Sequence, residues 1–588
     1  MKQIVKILGL VCFVFTGSLA QQTVNSELDL EVLKKLPQEK VYVSHTGPVV
    51  FSGEYLYFSF QCFSAQNSRL SSQSKLGYLA LVNGNKEYLF EQKIRLNDGL
   101  GQGDFFVSTE IPSGVYKLLG YTQWMKNNGL AQVFKDDLII INPYAADQSL
   151  LLSKTQDKIG DKEKGTPSSL KMDSSVVGII LKKFNYQKRE KVELGLKNYK
   201  GNLGYGTYSI RVQKKDGLYP NKNSNAISFA NDYLNVDKLA NLDRSGHIFL
   251  PERDGELLIG TVKDKITGKP ISETPVVVSL PGKQFVLKSV LTDFNGGFYT
   301  YLREDYQTGS IVLQATGTEK EANIQLKPSR KLNLDNLEFG EYTIQKEMSE
   351  AIKLRSIHNQ VENQYFAMKP DSILQTNPEN PFNSENSMVF NLDDYTRFKT
   401  FKETLVEIIN IARYRPNPTG NDFIRIVQDF KRFNEELNNF PAIVLFDGVF
   451  VSDHNSVKDY NAKNIKSISL IRDQFRLGNE EYQGIMYVET FDGDYFKDYR
   501  PPNGVLLDLK KPIPQKNYFS QVYDQTGSFD RIPDYRRLLL WKPNVVVDEG
   551  QLQFEFFTSD ITGEFEIIVD GFTTYGKPIS FSRSITVE

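Results

Sequence analysis

The residues best suited to acid–base or metal chemistry are four histidines, His45, His247, His358 and His454, spaced roughly a hundred residues or more apart. None stands in the HExxH or HxxE spacing that sets two zinc ligands on one helix face. Gly99, Gly101 and Gly103 fall in the run NDGLGQGDF, but no Gly-Lys-Ser/Thr follows to hold a phosphate. Glycines so placed between strands read as a turn. The run DFNGG at 293–297 carries too few carboxylates for a calcium cage and also reads as a turn. The sequence therefore implies no catalytic set, no metal site and no cofactor. What remains is contact chemistry. Tyr121 and Trp124, in GYTQWMKNNG, are possible interface anchors, because an exposed aromatic near a loop suits a partner pocket. The competing reading puts Tyr121 in a core and Trp124 over a sandwich edge. Trp541, within LLLWKP, reads as core.

The elements that must position these residues are mostly strands. A chain of 588 residues exceeds the ~250–300 at which single cores stop growing, so several domains are expected. Aromatics make up 12%, with 39 Phe and 30 Tyr, which suits β packing. A net charge of −2 gives no basic field for nucleic acid. Lys2 and Lys6, the apolar run 7–15 and Ser18-Leu19-Ala20 form a secretory leader over 1–20. Its apolar run is too short to span a bilayer, which needs ~20 residues. Cys12 follows Val11, not the small residue that lipidation requires. The exported chain keeps Cys62 alone, so no intramolecular disulfide is expected. No later stretch nears ~18 continuous apolar residues, and no spanning helix is expected.

Over 36–145, short alternating strands separated by Gly, Pro and Asn turns indicate a β-sandwich. Its opening, EKVYVSHTGPVVFSGEYLYFSF, resembles the second macroglobulin-type domain at the start of many exported Bacteroidota proteins. Gly47, Phe51 and Tyr57 depart from that pattern, replacing an acidic residue, a tyrosine and a tryptophan. His45 matches the strand-end histidine of the family, which implies a structural role. A polar linker spans 146–174, and an immunoglobulin-like β unit is expected over 175–250. Over 256–328, GTVKDKITGKPISETPVVVSL and TDFNGGFY resemble the non-catalytic carboxypeptidase regulatory-like fold, a seven-stranded sandwich.

Two helices are expected next, over 347–365 and 395–412, the second with Phe398, Phe401, Leu405, Ile408 and Ile409 on one face. The stretch 440–493, with LFDGVFV, NIKSISLIRD and GIMYVETFDG, resembles the plug domain of TonB-dependent outer-membrane receptors. That resemblance sets a plug-like α/β domain at 334–495. Only 95 residues follow Gly493. At ~9–11 residues per membrane strand plus turns they make fewer than eight strands, so no barrel of this chain's own is expected. The tail 501–588, with DYRRLLLWKPNV and TSDITGEFEIIVDGFTTYGKPI, resembles a C-terminal immunoglobulin-like module of the same proteins.

The macroglobulin resemblance raises covalent protease trapping. Cys62 is followed by Phe63, Ser64, Ala65 and Gln66 and lacks the Gly-Glu-Gln run of a thioester. The expectation is a mostly β, multidomain, exported protein that is not an enzyme. It would bind or scaffold in the periplasm or at the outer membrane, with an outer-membrane protein as partner. A nutrient- or glycan-binding accessory is the alternative, and a protease inhibitor is disfavoured.

Overall fold

The computed structural model describes residues 32–152, 176–220, 224–234, 248–374 (save 283–284, 304–305 and 307–308), 387–417, 421–429, 435–523 and 529–588 save 530. The leader, most of the linker and His247 lie outside the described residues. The architecture is mostly β, with several sandwiches and one small α/β unit.

Alternating Val41 and Val43 make the strand Glu39–His45, which pairs with Tyr55–Ser64, itself paired with Leu100–Phe106. The facing sheet runs in the order Val49–Phe51, Phe134–Ile141, Gly114–Tyr121, Leu76–Val82, Tyr88–Arg95. Between them Leu56, Phe58, Phe60, Leu79 and Leu118 are fully buried. Each such side chain stabilises the fold by about 1.5–3 kcal/mol relative to exposure. Every residue of Glu39–His45 is buried. Its second face is covered by the next sandwich, where the Tyr42 hydroxyl donates to Asp570 and Ser44 meets Ser209 at 2.8 Å.

That next sandwich corrects the expected domain plan. The unit expected at 175–250 and the tail module expected at 501–588 form one sandwich. Gly206–Lys214 lies between Leu538–Val547 and Gly563–Thr573 in a single sheet, and Lys191–Asn198 pairs with Gln551–Phe557 in the other. Val192, Leu194, Tyr208, Ile210, Phe565 and Ile567 share its core. Neither segment has enough strands to cover both faces of a core alone.

The third sandwich is likewise completed from afar. Six strands come from 256–326, and the seventh, Gly504–Asp508, pairs with Ser310–Ala315 after the plug-like unit has intervened. The plug-like unit is thus an insertion between the sixth and seventh strands. Its sheet begins at Met388–Asn391 rather than at 334. Leu332, Leu334 and Leu337 join the core of the first sandwich, and Ile344 and Ile352 pack on Phe51 and Ile141. The helix Ser349–Gln364 therefore belongs to the first sandwich. The second expected helix is only Phe401–Glu407, opened by a Thr400–Glu403 capping box. Beyond it the chain is drawn into the hairpin Ala412–Arg415 with Phe423–Ile426.

The plug-like sheet has the order Met388–Asn391, Ile465–Leu477, Glu480–Thr490, Ile443–Phe446, Val449–Phe450. Ile443–Phe446 runs parallel to Glu480–Thr490. The polar stretch between Phe450 and Ile465 holds short 3-10 turns at His454–Val457 and Ala462–Asn464. One sheet face buries Phe401, Leu405, Val444 and Phe446. The other sets Ile443, Leu445 and Phe450 against Val277 and Phe285 of the third sandwich. Asp447, at φ 47°, accepts from the Thr490 N–H and hydroxyl and from the Tyr495 N–H. Gly448, at φ 85°, lets the turn touch that sandwich, since a Cβ there would lie 2.2 Å from Phe285 Cβ.

Candidate functional site

The two expected interface anchors are buried inside the chain. Tyr121 is 0% exposed, and its hydroxyl donates to Glu91. Trp124 is also 0% exposed, lies beneath Leu33, Leu36 and Ile248, and donates its indole N–H to Pro37 O at 3.0 Å. The segments 32–36 and 248 cover the edge that the loop reading left open, so neither residue can anchor a partner.

His45 does have a structural place. Its Nδ1 accepts from the Gly47 N–H at 3.1 Å, which leaves Nε2 to donate to Asp136 at 2.9 Å. His454 Nδ1 accepts from the Ile424 N–H at 2.8 Å, and burial lowers its pKa to about 4. His358 stacks on Tyr535 at 4.4 Å. Cys62 is buried in mid-strand opposite Val41, and burial raises its thiol well above the usual range. Asp293 closes DFNGG as a turn, accepting from the Asn295 and Gly297 N–H groups. Gly99 turns a hairpin at φ 82°, whereas Gly103 admits Ile513, whose Cδ1 would stand 2.0 Å from a Cβ there. Among the described residues no three His, Cys, Asp or Glu side chains gather to hold a metal.

A cleft of about 220 Å³ lies where the first sandwich, the shared sandwich and the helix Ser349–Gln364 meet. Its floor is an ion network. Arg355 grips Glu54 through two hydrogen bonds, at 2.8 and 2.7 Å, and donates to Asp216 at 3.1 Å and to Val49 O at 3.0 Å. Its guanidinium lies 4.5 Å from the centroid of the Phe51 ring. Arg537 also pairs with Asp216. Burial alone would raise the Glu54 carboxyl, but the Arg355 charge and hydrogen bonds outweigh it and hold it low. Removing one partner from so buried a network costs about 3–5 kcal/mol, because the other charge is left uncompensated. The turn Ser52-Gly53 receives the helix: Asn359 and Asn363 each donate to its carbonyls at 2.9 Å. Gly53, at φ 89°, leaves room for the Asn359 amide.

The walls of this cleft are aromatic. Tyr55 stacks on Phe366 at 5.2 Å, and Tyr57 meets Tyr518 edge-on at 5.1 Å. Trp541, buried as the sequence reading expects, completes the lining. The site was not legible in sequence because its parts come from distant segments: Arg355 and Glu54 are 301 residues apart.

A second buried cluster sits between the first and third sandwiches. Glu252 accepts from the Tyr78 hydroxyl at 3.0 and 2.9 Å, and Glu256 binds Lys93 and the Tyr306 hydroxyl. Burial, then the nearby charge of Glu256, pushes Glu252 up to about 8.

With fold and site in place, the chain is defined as a mostly β, multidomain protein of several β-sandwiches and one small α/β unit. No family model matches the chain, and no curated protein matches it. Among solved structures it is similar to Escherichia coli alpha-2-macroglobulin activated by porcine elastase, at 8% identity and TM-score 0.23, covering 94% of this chain and 44% of that one. The native conformation of E. coli alpha-2-macroglobulin gives 9% identity and TM-score 0.23, covering 94% and 40%. The E. coli adhesin FdeC gives 11% identity and TM-score 0.14, covering 47% and 58%. The chain thus spans less than half the length of these macroglobulins. Among the described residues no helix is long and apolar enough to cross a membrane.

Proposed function

We propose that this chain is a non-catalytic, exported binding and scaffold protein of the bacterial envelope. In this reading it resides in the periplasm or at the outer membrane and associates with an outer-membrane transporter or assembly complex. The leader at 1–20 and the resemblance to exported Bacteroidota proteins support the location. The observation that carries the binding role is the outer edge of the plug-like sheet. Met388–Asn391 pairs with Ile465–Leu477 on one side, and no described strand pairs with the other. Met388 and Val389 on it are exposed. Such an edge is a template for strand addition by a partner. The opposite end of that sheet is sealed against the third sandwich, so the unit is held out as a fixed module.

The test is affinity purification of the full chain from native envelopes, beside a Met388→Lys/Val389→Lys variant. The reading expects an integral outer-membrane protein with the unaltered chain. It expects that protein to be lost with the variant at unchanged melting temperature, since edge lysines block pairing. Recovery of no outer-membrane protein, or equal recovery by the variant, would sink it. Protease trapping is disfavoured because Cys62 is buried in a strand. The aromatic cleft favours a second reading, an accessory that binds nutrients or glycans.

A further inference from the structure

The cleft beneath the helix Ser349–Gln364 is lined by two hydrogen-bond donors that no described residue pairs. The Trp541 indole Nε1 and the Tyr518 hydroxyl are both buried, and neither has a hydrogen-bond partner among the described residues. Trp541 is 5% exposed, and both residues line the cavity. Buried Tyr and Trp normally find partners for these groups. A ligand in the cavity would supply acceptors that the described residues do not.

The charges around the cavity narrow what that ligand is. Arg355 is held by Glu54 and Asp216, and Arg537 by Asp216. Arg536 is held by Asp534, Lys369 by Glu362, and Lys516 by Asp104. Lys214 donates to Glu564 O and lies over the Phe565 ring. Each of these cations but Lys214 is held by a carboxylate that an anionic ligand would have to displace, and Lys214 is taken up by a carbonyl and a ring. A cationic ligand would meet carboxylates already neutralised. A neutral ligand displaces nothing. The aromatic faces of Tyr55, Tyr57, Phe366, Tyr518 and Trp541 call for apolar C–H surface, and the two spare donors call for oxygen acceptors. The cavity, at about 220 Å³, falls below the ~300–1,000 Å³ of pockets for drug-sized ligands. It suits one ring rather than a long chain.

We infer that this cleft is a binding site for a neutral carbohydrate. One sugar ring lays its C–H face on the aromatic wall and accepts hydrogen bonds from Trp541 Nε1 and Tyr518 Oη. The helix Ser349–Gln364, pinned by Arg355, Asn359 and Asn363, holds one side of the site rigid. This assignment rests on the second reading above and stands apart from the partner at the plug-like edge: either can fail without the other.

The chain has two tryptophans, so Trp124→Phe leaves Trp541 as the only indole reporter. The experiment titrates that full-length variant with glucose, galactose, N-acetylglucosamine and maltose, and with glucuronate and glucose 6-phosphate as charged counterparts. The expected result is a saturable change in Trp541 emission with at least one neutral sugar, and weaker binding of its charged counterpart. Adding Tyr518→Phe, which keeps the ring and removes the hydroxyl, should weaken binding about tenfold, the effect of one lost hydrogen bond. Calorimetry on the unaltered chain and on Tyr518→Phe alone gives the same comparison should Trp124→Phe fail to fold. The inference is overturned if no neutral sugar binds saturably, if the charged probes bind more tightly, or if Tyr518→Phe binds as well as the unaltered chain.

Discussion

Glu252 and His454 are buried groups with opposite consequences for stability. The Glu252 carboxyl has a folded pKa of about 8 against an ordinary 4.5, so the folded chain holds its proton more tightly than the unfolded chain. That contribution is complete below about pH 4.5 and is lost as pH rises through about 8. Glu252→Gln, which cannot ionise, should remove this loss. The variant should gain in melting temperature relative to the unaltered chain as pH rises across that window. Melting curves that shift in parallel at every pH would contradict the assignment. His454 runs the other way. Its pKa of about 4 lies below the ordinary 6.5, so the stability it contributes is lost as pH falls from about 6.5 to 4.

At the scale of elements, the turn Asp447-Gly448 fastens the plug-like unit to the third sandwich. Gly448→Ala would force a residue disfavouring φ 85° into a position 2.2 Å from Phe285 Cβ. A destabilisation of about 1–3 kcal/mol is expected for strain of this kind. In chemical denaturation it should loosen the plug-like unit first, with Ile443–Phe446 losing hydrogen-exchange protection ahead of the first sandwich. Unchanged protection would mean the turn does not fasten the unit. This turn and the strands Ile443–Phe446 and Leu76–Val82 were legible in sequence, because apolar runs bounded by Asp-Gly and Asn-Gly turns are local signals. The helix at 395–412 was overread. Phe398 to Ile409 has helical spacing, yet tertiary pairing with Phe423–Ile426 takes the residues from Ala412 into a strand. Of the two readings of Tyr121 and Trp124 the buried one holds, and for Trp124 the cover comes from segments before and well after it in sequence.

The whole molecule is interlocked, and this is the feature least visible along the chain. The segments 175–250 and 501–588 each read as a separate immunoglobulin-like unit, because each has period-two strands. Strand alternation says which face is buried but not which strands pair. Contacts such as Arg537 with Asp216, 321 residues apart, are fixed only when the ends meet. The interlock also explains why the cleft can be rigid. Its walls come from the first sandwich, from the sandwich made by two distant segments, and from a helix ion-paired to both.

Hydrogen exchange of the full chain at increasing denaturant tests that interlock most directly. Gly206–Lys214 should lose protection at the same denaturant concentration as Leu538–Val547 and Gly563–Thr573, as members of one cooperative sheet. If residues 206–214 and 538–573 opened at separate concentrations, they would be independent modules, and the account of one shared sandwich framing the cleft would be wrong.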